Sequence, residues 1–205
     1  MLHVIRSGKA PASDEVLRAM FAARKSVFVD LLRWDVPVVD GRYERDQYDD
    51  EHATYLVLAD AGGRHLGSAR LLRTDRPHIL GSHYPELCAA GVPAGAAIRE
   101  VTRCCLDRRL SAIERRRVRD TLVTALADVA LEHGIAAYSA IAELGWCRQV
   151  VDFGWRCREL GPARRYGGAL LAALRIDIDA ETPALLRAAG VVPSPGLVSD
   201  LCEAA

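Results

Sequence analysis

The chain has 205 residues, half of them apolar, which is enough for one sizeable core and short for two, so a single domain over residues 1–205 is expected. Lys and Arg together number 27, as do Asp and Glu, so the formal net charge is zero and offers no argument for binding nucleic acid or an anionic membrane surface. Met1 to Lys9 contain no apolar signal core, and no apolar run approaches the length of a membrane span, so a cytoplasmic protein is expected. Only Lys9 and Lys25 are lysine, so almost every cation is a guanidinium fork. Six cysteines without a CxxC pair, two of them adjacent at Cys104 and Cys105 in an apolar run, read as reduced, buried small hydrophobes rather than metal ligands.

A short strand at Leu2 to Arg6 precedes a helix for which Ser13 is the N-cap, with Asp14 and Glu15 in its first turn. Leu17, Met20, Phe21, Phe28 and Leu31 make one apolar stripe, with Arg24 in its middle. That arginine either snorkels to the edge or is buried against carboxylates. Arg33 to Asp50 is polar, acidic and without a period, so it is expected as a long loop, and loops of that length in compact domains are usually functional or disordered. Trp34, Tyr43 and Tyr48 argue for order.

Strands at Ala53 to Ala59 and His65 to Arg73 flank the turn Asp60-Ala61-Gly62-Gly63 and make a hairpin. After an irregular stretch come a strand at Ala97 to Leu106 and a helix over Ile113 to His133, with Val118, Leu122, Leu126 and Val129 inward and Gly134 as its stop. A strand at Ile135 to Ile141, a short helix ending near Gly154, a strand at Ala169 to Ile178 and a helix from Thr182 to Ala189 follow, before a tail from Val191 that is expected to be loosely held. The order predicts an α/β protein with a mixed sheet and helices on its faces.

Glu44, Asp46, Asp49, Asp50 and Glu51 crowd into eight residues, which alone reads as a solvated acidic loop. Three arginines, however, stand where half-buried elements should be apolar: Arg24 on its helix, Arg70 between Leu66 and Leu72, and Arg103 on a strand. Displaced cations and anions need each other, and their meeting would build a polar wall able to hold a zwitterionic or cationic small molecule. Glu100, flanked by apolar residues, is placed for general-base work, since partial burial disfavours its ionised form. The plainer reading is a strand-edge salt bridge to Arg103. Residues three apart face opposite sides of a regular strand, so one site for both requires a bulge near Val101-Thr102. Arg108 and Arg109, with the arginines at 115–117 and 119, surround a helix start and suit a phosphate, as on a phosphopantetheine arm, or are an exposed basic face.

Taken in order, Arg24, Phe28 and Trp34, then Glu44-Arg45-Asp46-Gln47-Tyr48-Asp49, then Gly67-Ser68-Ala69-Arg70-Leu71-Leu72-Arg73-Thr74, then Arg99-Glu100-Val101-Thr102-Arg103 resemble the LuxI-type autoinducer synthases over the first half of the chain. The resemblance implies a GNAT-like acyltransferase fold with a V-shaped splay between central strands. It implies a bacterial enzyme that acylates the amine of S-adenosylmethionine from an acyl-carrier-protein or acyl-CoA thioester and closes an N-acyl-homoserine lactone, releasing 5′-methylthioadenosine, without cofactor or metal. It implies S-adenosylmethionine contacts at Arg24, Phe28, Trp34, Glu44, Asp46, Asp49 and Arg103, with Glu100 as base and Arg103, Asp46, Asp49 and Arg70 organising the catalytic site. It also implies an acyl or phosphopantetheine site at Val101, Thr102, Ser139, Ala140, Arg108 and Arg109. The small residues on strand 135–141 leave room for a fairly long acyl chain, and the lack of Thr there disfavours a 3-oxo chain.

The chain departs from the family at Tyr84, where Phe is usual, and at Cys104-Cys105, where an aromatic follows the second arginine. Rival readings are a GNAT N-acetyltransferase using acetyl-CoA, although the Q/R-x-x-G-x-G/A phosphate loop is absent, and a non-catalytic sensor of S-adenosylmethionine or an acyl carrier. A DNA-binding regulator is disfavoured by zero net charge and the lack of a helix-turn-helix.

Overall fold

The computed structural model describes residues 1–6, 14–195, 197 and 202–203. The chain forms two compact units, one of Met1–Leu71, Arg103–Ala125 and Pro193–Ala205, the other of Leu72–Thr102 and Leu126–Val192. Ser13, expected as a helix cap, lies outside the described residues.

In the first unit, strand β1 (Leu2–Arg6) pairs antiparallel along its whole length with β4 (Thr54–Ala59). β4 pairs antiparallel with β5 (His65–Arg73), and β11 (Cys202–Glu203) adds a parallel edge to β1. The hairpin turn is held by Asp60, whose Oδ1 accepts from the Gly62 and Arg64 N–H groups, while Gly63 takes the left-handed φ of +78° that favours glycine. Helix α1 (Asp14–Arg24) packs Phe21 edge-on against Tyr55 of β4, and then widens into a π-helical segment over Lys25–Leu31. The widened turns break the 3.6-residue stripe. Met20, Phe21 and Phe28 are buried as expected, but Leu31 is rotated out and 54% exposed. The expected loop from Arg33 to Asp50 also contains a small antiparallel ribbon, β2 (Val38–Val39) with β3 (Tyr43–Glu44).

The end of strand β6 (Ile98–Leu106) lies beside β5, where the Asp107 N–H donates to the Leu66 carbonyl at 2.8 Å. Helix α3 (Ala112–Glu132) begins with a reciprocal cap: the Ser111 N–H donates to Glu114 Oε2 at 2.8 Å, and the Glu114 N–H to Ser111 Oγ at 3.4 Å. Its buried Val118 meets Gly67 of β5 so closely that a Cβ there would lie 2.7 Å from Val118 Cγ1. Cys105 is buried in β6, but Cys104 faces solvent, correcting the expectation that both are interior; consecutive strand residues point to opposite sides.

In the second unit, the start of β6 pairs parallel with β7 (Ala137–Glu143), from Ile98↔Ala137 to Val101↔Ala140. β7 pairs antiparallel with β10 (Ala169–Asp177), which also carries β8 (Arg156–Glu159) and β9 (Arg164–Tyr166). The C-terminal half of α3 covers one face, and the Tyr138 hydroxyl donates to the Leu126 carbonyl at 2.9 Å. Helix α2 (Ile79–His83) and a 3-10 turn (Pro85–Leu87) supply Leu80 and Leu87 to a cluster with Ala173, Ile141, Leu171 and Tyr166. Helices α4 (Leu144–Val151) and α5 (Thr182–Ala188) complete the unit, with Gly190 (φ +78°) closing the latter as expected. Among the described residues no helix is long and apolar enough to cross a membrane.

Candidate active site

The buried alternative holds for Arg24. Its side chain is 1% exposed, with Nε donating to Glu44 Oε2 at 2.5 Å and Nη1 and Nη2 to the two oxygens of Asp49 at 2.8 and 2.9 Å. Arg70, equally buried, forks onto Asp46 at 2.6 and 3.0 Å and approaches Asp49 Oδ1 at 2.9 Å. Arg103 closes the set, donating through Nε and Nη2 to Glu44 Oε1 and through Nη2 to Asp46 Oδ2 at 2.8 Å. The three misplaced arginines and three of the five crowded acids therefore form one lattice, because charge-assisted forks are what make burial of either sign tolerable. The other two acids stay outside it: Asp50 Oδ1 accepts from the His52 N–H and Glu51 pairs with His52 at the surface.

The loop itself is shaped by these carboxylates. Asp49 Oδ2 accepts from the Asp46 N–H, and Asp46 Oδ1 from the Tyr48 N–H, each at 2.9 Å. Burial works against the Asp49 anion, but hydrogen bonds and charge from Arg24, with Arg70, outweigh it and hold this carboxyl well below its ordinary range. Arg24 is likewise held charged by Asp49 and Glu44 against its own burial. Tyr55, which nothing in the sequence pattern singles out, donates its hydroxyl to Asp49 Oδ1 at 2.9 Å, and burial followed by the Asp49 charge pushes its pKa up. No pattern within β4 signals that bond; it exists because β4 passes beside the acidic loop.

The lattice has an aromatic border. Phe28 and Trp34 stack at 4.7 Å and 13°, the Arg103 guanidinium lies 5.7 Å from the Phe28 ring centre, and Trp34 is 41% exposed. Arg103 has a left-handed φ of +51°, rare for a non-glycine residue within a strand, so the alternation of β6 breaks at Arg103 itself, one residue beyond the bulge expected at Val101-Thr102.

Glu100 lies in the second unit and is fully buried. Its Oε1 accepts from the Leu80 N–H at 3.0 Å, and its pairing with Ser139 puts the two side chains on one sheet face. Ser139 Oγ is buried without a hydrogen-bond partner among the described residues. Val101 and Ala140 pair one step along, so their side chains point to the opposite face, whereas strand alternation returns Thr102 to the Glu100 side. The six residues expected to share an acyl or phosphopantetheine site are thus divided.

Arg108 and Arg109 stand in the first unit, on a cavity of about 430 Å³ lined also by Ala19, Ala22, Ser26 and His65. Arg109 is paired there with Asp107 at 2.7 Å. Among the described residues no group of three or more His, Cys, Asp or Glu side chains is placed to hold a metal ion.

The profile of the autoinducer synthase family matches residues 10–185. An acyl-homoserine-lactone synthase of Ralstonia nicotianae is 34% identical over 199 residues, 93% of this chain and 96% of that protein. The solved structure of BjaI, a CoA-dependent acyl-homoserine lactone synthase with S-adenosylmethionine and isopentyl-CoA, is similar with a TM-score of 0.83 at 30% identity, over 97% of this chain and 92% of that one. A Lactobacillus plantarum protein described as an N-acetyltransferase has a TM-score of 0.56 at 19% identity over 87% of this chain and 99% of its own, which shows the GNAT-like fold.

Proposed function

The chain belongs to the autoinducer synthase family and is an acyl-homoserine-lactone synthase, and from that premise we propose which of its residues carry the two steps of the reaction. S-adenosylmethionine and an acyl thioester are substrates, not cofactors; the products are an N-acyl-homoserine lactone and 5′-methylthioadenosine.

The lattice of Arg24, Glu44, Asp46, Asp49, Arg70 and Arg103 is the S-adenosylmethionine wall. Its members are already fixed by one another, so fixed charges meet the ammonium, carboxylate and sulfonium of the substrate without reorganising first. Phe28 and Trp34 offer ring faces at its border, one of them exposed, which suits a cation or a nucleoside base.

In the first step Glu100 takes a proton from the substrate ammonium, through water, and the freed nitrogen attacks the thioester carbonyl. The C–N bond forms, the C–S bond breaks, and the second proton of the nitrogen passes to the departing sulfur, which leaves as the thiol. In the second step a carboxylate oxygen attacks the carbon beside the sulfonium, forming the ring C–O bond as the C–S bond breaks and the thioether departs. Ser139, a buried hydroxyl beside Glu100 with no hydrogen-bond partner among the described residues, is a polar contact for the acyl donor. Arg108 and Arg109 keep the assignment to the donor's phosphates on the cavity they line. We assign an acyl-CoA as donor because a similar structure is of a CoA-dependent enzyme with isopentyl-CoA, and we place the reaction in the cytoplasm.

The observation that carries the assignment is the burial of Glu100 with one oxygen held by a backbone N–H. The test is Glu100→Gln in the purified protein, with S-adenosylmethionine and either an acyl-CoA or the matching acyl-carrier-protein thioester, reading lactone and 5′-methylthioadenosine by mass spectrometry. Loss of about 10²-fold or more in kcat with S-adenosylmethionine binding retained is expected of a general base. Unchanged turnover would remove Glu100 from that role, and product from the carrier thioester alone would remove acyl-CoA as donor.

A further inference from the structure

We propose that His78 is a positioning residue for Glu100, acting through the backbone N–H of Leu80; this rests on the reading of Glu100 as the base. All the groups involved lie in the second unit.

His78 is buried and precedes the five-residue helix α2 in extended conformation, with φ −144° and ψ 167°. Its carbonyl accepts from the Ser82 N–H at 2.9 Å and so opens the helical turn. The residue before a helix commonly uses its side chain to satisfy one of the first free N–H groups. His78 makes no such bond. Its ring reaches backwards instead, with Nδ1 2.7 Å from the Arg76 carbonyl oxygen. A carbonyl only accepts, so Nδ1 is the nitrogen that carries the proton. The ring thereby ties residue 76 to residue 78 across Pro77, whose own φ is fixed by its pyrrolidine.

Among the N–H groups of the first turn of α2, which have no acceptor within the helix, that of Leu80 donates to Glu100 Oε1 at 3.0 Å. A backbone amide can orient a carboxylate only as well as its own turn is held. Two features hold this turn: the His78–Arg76 tie, and the packing of the ring on Gly81, where an added Cβ would lie 2.8 Å from His78 Cε1 and 3.0 Å from Nε2. The glycine is therefore the space the imidazole occupies. Nε2 is buried and has no hydrogen-bond partner among the described residues, which leaves Nδ1 as the working atom of the ring.

Asparagine places an amide N–H near the site of Nδ1, and glutamine places one near the site of Nε2, so the two replacements separate the functions of the ring nitrogens. The experiment measures kcat, and KM for S-adenosylmethionine and the acyl donor, for His78→Ala, His78→Asn, His78→Gln and Gly81→Ala, beside Glu100→Gln and the unaltered enzyme. His78→Ala and Gly81→Ala should each lose up to about 100-fold in kcat, as displacement of a catalytic group by an ångström does, with KM for S-adenosylmethionine unchanged. His78→Asn should recover most of that loss and His78→Gln should not. Should His78→Ala fail to fold, the Asn and Gln variants and Gly81→Ala still decide the matter.

Wild-type kcat in His78→Ala with an inactive Glu100→Gln would overturn the positioning role and leave Glu100 as base. Recovery by Gln rather than Asn would move the role to Nε2 and overturn it as well. An active Glu100→Gln would remove the base and, with it, anything for His78 to position.

Discussion

Arg24 and Asp49 meet fork to fork, Nη1 on Oδ1 at 2.8 Å and Nη2 on Oδ2 at 2.9 Å, with both side chains withdrawn from solvent. A pair of this kind need not add net stability over an apolar pair, but losing one member leaves the other as a buried, uncompensated charge. Arg24→Met should therefore destabilise the protein by about 3–5 kcal/mol and abolish S-adenosylmethionine binding. Urea unfolding with calorimetric titration of S-adenosylmethionine checks this; a stable variant with ordinary affinity would remove the lattice from both roles.

His65 predicts a pH dependence. Its Nε2 lies 2.9 Å from Ser68 Oγ, and burial pushes the imidazole from 6.5 down to about 4, with Asp107 opposing the shift and Arg109 adding to it. Between those values the unfolded chain binds a proton that the folded one does not, so stability falls as pH falls from 6.5 to about 4 and this contribution is flat below. At about 1.4 kcal/mol per unit the loss is about 3 kcal/mol. His65→Gln should lack it, which the difference in urea midpoints between wild type and variant at pH 7 and pH 4.5 would show; parallel curves would mean that His65 titrates normally in the fold.

At Gly67, β5 passes close against α3. A Cβ there would sit 2.7 Å from Val118 Cγ1 and 3.0 Å from Leu106 Cδ2. Gly→Ala within a strand usually helps, by restricting the unfolded chain. Here overpacking should reverse the sign and cost about 1–3 kcal/mol, seen as a lower melting temperature. A raised melting temperature would show that Val118 and Leu106 give way freely.

The charged lattice was legible in the sequence because Arg24, Arg70 and Arg103 violate the apolar pattern of their elements, and such violations persist only with partners nearby. The hairpin, α3 and β10 were legible because their patterns are long. What escaped lacks a local period. Helix α2 is one turn with Gly81, Ser82 and His83 in it, so neither it nor the Leu80 N–H bound to Glu100 could be foreseen. β8, with the sequence Arg-Cys-Arg-Glu, is mostly exposed and reads as loop. β7 runs to Glu143, past the apolar stretch that set its expected end at Ile141, because Glu143 still pairs with Leu171 of β10. Leu31 was misplaced because a helical stripe presumes 3.6 residues per turn, and nothing in Lys25 to Leu31 announces a wider helix.

Three guanidinium groups and three carboxylates make up the lattice, so its formal charge is zero. Neutral replacement of any one member uncovers a unit charge in its interior, whereas removal of a cation together with the anion it forks onto does not. The six positions are therefore bound to one another in heredity as well as in space. A lineage can leave this arrangement by paired exchanges far more readily than by single ones, and drift at one position is held back until its partner has changed.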